Sequence, residues 1–126
     1  MNPDIWLAKA KRNLKTARLN LDDGDPDSAC NRAYYSMFSA ARAALLLVDQ
    51  PERAMGKTHN GMIASFSEFL VKSGKIASEQ GRNFSLESNR RMLSDYEGNA
   101  LNDDDARTAI AHAESFLVAI HAMSAS

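Results

Sequence analysis

The chain has 126 residues, of which 44% are hydrophobic and 25% charged, and a formal net charge of -1. That balance excludes a disordered chain, which would hold less apolar residue and more net charge, and gives no overall field that draws in nucleic acid or membrane. The length suits one domain with a real but modest core.

The N-terminus, MNPDIWLAKAKRN, has no continuous apolar stretch of the signal-peptide kind. No apolar run reaches the roughly 18 residues of a membrane span. One cysteine, Cys30, allows neither an internal disulfide nor a cysteine-rich zinc site. These features predict a cytoplasmic protein that does not enter a membrane.

The first helix is expected from Pro3 to about Asp22, with Asn2 as cap and proline at the favoured first position. Leu7, Ala10, Leu14, Ala17 and Leu21 form its inner stripe, and Gly24 ends it. Lys9, Lys11, Arg12, Lys15 and Arg18 make this end of the chain basic, while Asp95, Glu97, Asp103, Asp104 and Asp105 make an acidic stretch later. Five bases within ten residues are most often a solvated face; they are also a fair electrostatic footprint for RNA, weakened by the lack of aromatic residues between them.

Asp25 and Pro26 repeat the same start signal. The second helix runs to about Val48, and the short link predicts an antiparallel hairpin with the first. It carries two apolar stripes side by side. Tyr34, Phe38, Ala41, Leu45 and Val48 form one, and Ala33, Met37, Ala40, Ala44 and Leu47 the other. A face that wide predicts a central helix packed on more than one side. Arg32, Tyr35, Ser39 and Arg42 break the pattern along one narrow stripe. Two arginines on a mostly buried helix need partners, either carboxylates of neighbouring helices or the phosphate of a ligand.

Residues 50–58 are expected to be a polar connection. Thr58 caps a third helix from His59 to Ser73, with Met62, Ile63, Phe66, Phe69 and Leu70 inward and Gly74 as its stop. A fourth helix begins at about Ser78 or Ser85 and ends at Glu97 before Gly98-Asn99, with Phe84, Met92, Leu93 and Tyr96 expected inward. A fifth runs from about Asp104 to Met123 on the stripe Ala106, Ile110, Ala113, Leu117 and Ile120. Three aspartates crowd its start, where the helix dipole favours them. No segment alternates with period two, so the expected fold is an all-α, up-and-down bundle of about five helices in a single domain over residues 1–126.

The three histidines, His59, His112 and His121, sit in no recognised metal-ligand spacing, so no metal site and no cofactor are expected. No phosphate-binding glycine loop and no nucleophile elbow occur. Arg91 and Asp95 are four apart and share a helix face, with Tyr96 next to them. This trio makes either a solvated ion pair beside a tyrosine or a phosphate-handling site in which an arginine fork grips the anion. His59 is either a helix-start histidine that only touches solvent or a base, since the dipole favours the neutral form that a base needs.

The stretch RAYYSMFSAARAALL (Arg32 to Leu46) resembles the central helix of HEPN-domain proteins. KTHNGMIASFSEFLVKSG (Lys57 to Gly74) resembles the helix that follows in that family, where a histidine with a glycine two residues later recurs. RRMLSDYEG (Arg90 to Gly98) resembles the family's R-x-x-A-D-Y stretch. The resemblance spans nearly the whole chain and implies an all-α bundle, a homodimer, and pairing with a minimal nucleotidyltransferase in a toxin–antitoxin system. It also implies metal-independent ribonuclease chemistry built on an arginine followed by a histidine. Here Tyr96 stands in the place of that histidine, and Ser39 where relatives often carry one. A tyrosine with its ordinary pKa of about 10 is a poor base at neutral pH, which leaves His59 as the histidine at a family position.

The expected catalytic group is therefore Arg91, Asp95, Tyr96 and His59, with Arg32, Tyr35, Ser39 and Arg42 binding phosphate or nucleotide in the same cleft near a dimer axis. The competing expectation is a non-catalytic module that binds a nucleotidyltransferase partner, a nucleotide or RNA.

Overall fold

The computed structural model describes residues 2–97 and 100–125. Helix α1 spans Pro3–Asp22, α2 Pro26–Leu47, α3 Pro51–Ala54 and α4 His59–Phe66. The last continues into a π-helical segment, Ser67–Val71; α5 spans Ser78–Glu97 and α6 Asp103–Ala125. The described residues contain no strand. The all-α bundle follows the sequence-based expectation, with one element more. Pro51, expected to end a helix, also starts the single turn of α3, as proline does when its missing N–H costs nothing there.

The helix starts follow from their caps. The Asn2 side chain accepts the Asp4 N–H at 2.9 Å, and Asp25 accepts the Ser28 N–H at 3.2 Å, each followed by proline. Gly24, at φ +80°, makes the left-handed turn between α1 and α2. Thr58 caps α4 by accepting the Gly61 N–H at 3.0 Å. A Cβ at position 61 would lie 2.5 Å from the Thr58 hydroxyl. The glycine two residues after His59 is thus what lets the cap close over the helix start.

Helix α2 packs against every other helix and the π segment. Its alanines 29, 33, 40, 41, 43 and 44 are all fully buried, which lets its neighbours approach closely. The Ser36 hydroxyl, also fully buried, donates to the Ala10 carbonyl of α1 at 2.7 Å, so this polar group keeps a partner inside the core. The width of the apolar face is thus met within one chain by helices on several sides. An aromatic cluster closes the centre: Phe66 and Phe116 have ring centroids 4.9 Å apart, Phe84 and Phe116 5.3 Å, and Tyr34 and Phe84 5.8 Å. It joins α2, α4, α5 and α6.

Helix α5 departs from expectation. Met92 and Leu93 are 43% and 48% exposed rather than inward, and only Phe84 of the expected residues is shown in the core. The side chain of Tyr96 and the stop at Gly98-Asn99 lie outside the described residues. The inward stripe is instead Gln80, Phe84, Glu87, Ser88 and Arg91, mostly polar, at helical spacing. A search for apolar periodicity selects the wrong face because the buried face carries the polar groups. The third helix likewise keeps Met62, Phe66 and Leu70 buried, but Ile63 and Phe69 only half so, and its last turn widens into the π segment.

Candidate functional site

The polar stripe of α5 faces the aromatic side of α2 and the start of α4. The Tyr34 hydroxyl and His59 Nδ1 are 2.7 Å apart and share one hydrogen bond. Phe38 and Tyr35 flank the imidazole with ring centroids 5.6 and 6.0 Å away. Arg91 lays its guanidinium over the Tyr34 ring at 5.4 Å and donates from Nη1 to Asp95 Oδ2 at 2.7 Å. Its Nε is buried, and no described residue accepts from it. A guanidinium held by a carboxylate and a ring face can present its remaining terminal N–H groups to an oxyanion, while the buried Nε cannot reach one.

Electrostatics suit that centre. Partial burial, then the Arg91 charge, lower the His59 pKa from its ordinary value, against a smaller opposing pull from Asp95. The imidazole is therefore neutral at pH 7 and able to take a proton. Tyr34 is fully buried, and burial pushes its phenol up to about 12, against smaller lowering by Ser88 and Arg91. It stays protonated and orients His59 rather than titrating with it.

His59, Arg91 and Asp95 thus come together, with Tyr35 at their edge. Arg32, Ser39 and Arg42 line an adjoining groove between α1 and α2, on the far side of Tyr35 and Phe38. Among the described residues neither arginine pairs with a carboxylate. Arg32 is exposed and donates to Asn13 Oδ1 at 3.3 Å. Arg42 donates to the Ala54 carbonyl at 2.7 Å, with its guanidinium 5.1 Å from the Trp6 ring and 4.9 Å from the Phe38 ring.

Two features escaped sequence reasoning. Tyr34 counts as core by periodicity, and it is core, yet its hydroxyl reaches the site. Glu87, 1% exposed, accepts from Arg90 Nε at 2.9 Å and pairs with His112 Nδ1 at 2.7 Å; Arg90 also binds Asp105 at 2.8 Å. This network ties α5 to α6 immediately beside Arg91, and no local spacing announces it, because His112 lies 25 residues from Glu87. No three His, Cys, Asp or Glu side chains among the described residues are grouped to hold a metal ion. No described helix is long and apolar enough to cross a membrane.

An aromatic-walled histidine and arginine on the inner faces of a helical bundle define an all-α protein with a candidate anion-handling centre. The chain belongs to the HEPN domain family, whose model matches residues 4–122. It is 32% identical over 113 residues to a UPF0332 protein of Gloeobacter violaceus, covering 88% of this chain and 86% of that one. It is 31% identical over 118 residues to a UPF0332 protein of Thermotoga maritima, covering 93% and 86%. A third relative, from Methanocaldococcus jannaschii, bears the name Putative toxin and is 31% identical over 108 residues, covering 86% and 78%.

Proposed function

We propose that this HEPN protein is a cytoplasmic, RNA-directed toxin component of a toxin–antitoxin pair, with metal-independent ribonuclease activity. The observation that carries the proposal is the Arg91 guanidinium, held by Asp95 and the Tyr34 ring, beside a histidine whose pKa is lowered. In this scheme Arg91 grips the scissile phosphate while Asp95 fixes the guanidinium. With Nδ1–H donated to the Tyr34 oxygen, His59 Nε2 removes the proton of the ribose 2′-hydroxyl. The 2′-oxygen forms a bond to phosphorus, the bond from phosphorus to the 5′-oxygen breaks, and that oxygen takes a proton from a water, whose hydroxide is neutralised by the proton that His59 then gives up. The products are a 2′,3′-cyclic phosphate and a 5′-hydroxyl. Arg32, Tyr35, Ser39 and Arg42 bind the neighbouring phosphates. The name of the Methanocaldococcus relative supports the toxin assignment. The exposed Leu86, Met92 and Leu93 on α5 support a homodimer.

The test is cleavage of RNA by the purified protein in the presence of a chelator, with His59→Ala and Arg91→Ala alongside. Activity that survives both substitutions, or no activity at all, refutes the nuclease assignment. One observation favours a non-catalytic alternative: His112, the other histidine beside this centre, is paired to Glu87, so among the described residues no second histidine there is free to act as the acid. In that case the same cleft serves a module that binds RNA, a nucleotide or a nucleotidyltransferase partner. Co-purification of the tagged protein from its own cell, followed by identification of bound protein and nucleic acid, separates the two.

A further inference from the structure

The groove between α1 and α2 has a chemistry that neither helix displays alone. Its volume is about 370 Å³, within the range of sites for small organic ligands. Lys9 and Arg32 bring exposed positive charge to its walls, and no carboxylate lines it among the described residues. Helix α1 gives the half-buried Trp6, and α2 gives the half-buried Tyr35. The bases of α1 have no aromatic residue between them along the sequence, but in the groove Trp6 of the same helix and Tyr35 of α2 stand beside Lys9.

The aromatic surface is held in place by the protein itself. Arg42 lies 5.1 Å from the Trp6 ring and anchors to the Ala54 carbonyl, which fixes the tryptophan against α2. Lys9 lies over the same ring at 5.4 Å on an exposed, flexible stem, so it can swing aside to a phosphate. The groove borders the candidate centre, since Tyr35 lines it and stands 6.0 Å from the His59 ring, and Phe38 does both at 5.6 Å.

Taking RNA as the ligand of the adjoining His59 and Arg91 site, we infer that this groove seats a single strand of RNA, with a base against Trp6 and phosphates on Lys9 and Arg32. Planar π-surfaces flanked by uncompensated cations suit unstacked bases on a polyanionic backbone. A duplex hides its base faces, and a plain anion has none. The groove would deliver the strand past Tyr35 so that a neighbouring phosphate meets Arg91.

Trp6 is the sole tryptophan of the chain, so its fluorescence reports on the groove alone. The experiment titrates the intact protein with a short adenine homopolymer of single-stranded RNA at low salt. Parallel titrations use the matching duplex, the mononucleotide and a polyglutamate of similar charge. Saturable quenching by the single strand, at least tenfold weaker for each of the other three, is the expected result. The double substitution Lys9→Ala, Arg32→Ala touches exposed side chains and should leave the circular dichroism spectrum intact. It should weaken binding at least tenfold and flatten the plot of log affinity against log salt by about 1.4, for two phosphates on a single strand. Equal quenching by polyglutamate or by duplex overturns base stacking, and equal quenching by the mononucleotide overturns a strand path. RNA cleavage with no change in Trp6 emission removes the groove and leaves the nuclease assignment standing. Quenching without cleavage does the reverse.

Discussion

Tyr34→Phe separates the structural and chemical roles of one side chain. The substitution keeps the ring, and with it the packing on Phe84 and Phe38 at centroid distances of 5.8 and 6.2 Å. It removes only the hydroxyl that meets His59 Nδ1 at 2.7 Å. A net hydrogen bond contributes about 0.5–1.5 kcal/mol, and a buried partner left unsatisfied adds to the loss. His59 is partly exposed and water can meet its Nδ1, whereas Ser88 is 7% exposed and loses its contact with the phenol. The expected cost is therefore about 1–2 kcal/mol. For a chain of this size that is a fall in melting temperature of roughly 3–8 °C. Differential scanning calorimetry measures it. The same variant frees the imidazole to rotate, so RNA cleavage should fall by far more than the small loss of folded protein allows. A melting temperature that does not move would show that the hydroxyl contributes no stability. An early melt with cleavage per folded molecule unchanged would show that Tyr34 is core and nothing more.

Phe38→Ala should cost roughly 3–5 kcal/mol, since the ring is only 7% exposed and touches Tyr34, Tyr35, Arg42 and His59; a chemical melt with an unchanged midpoint would contradict that placement. Glu87→Ala strands His112 and half-strands Arg90 in a buried setting, which costs about 3 kcal/mol, at the low end for a broken buried pair because Asp105 remains on Arg90; a thermal shift near zero would mean the network carries no stability. Arg91→Ala removes a donor already left unpaired and one ion pair whose carboxylate is half-exposed, so the melting temperature should drop by only a few degrees while RNA affinity falls and its salt dependence weakens; an early melt together with no RNA binding by the intact protein would leave the pair as structure alone. His59 has its pKa lowered on folding, so between the folded value and the ordinary one of about 6.5 the unfolded chain binds more protons. Stability then falls as pH falls through that window. The advantage in melting temperature of the native protein over His59→Gln should shrink on acidification, and a gap independent of pH would refute the shift.

The sequence alone determined the five longer helices and their order, though not the single turn of α3 or the π-helical segment. Caps and stops act within a few residues, as Asn2, Asp25, Thr58 and Gly74 do, so local chemistry is enough to place them. The central place of α2 was legible as well, because burial on several sides requires an apolar face of that width, and the family likeness was written in three of its segments. Tertiary structure alone decided which face of α5 turns inward. Hydrophobic periodicity can find a buried face only when that face is apolar, and here Glu87, Ser88 and Arg91 face inward while Met92 and Leu93 face out. It also decided what Tyr34, Trp6 and Glu87 touch, since their partners are His59, Arg42 and His112, brought close by packing between helices rather than by spacing along the chain.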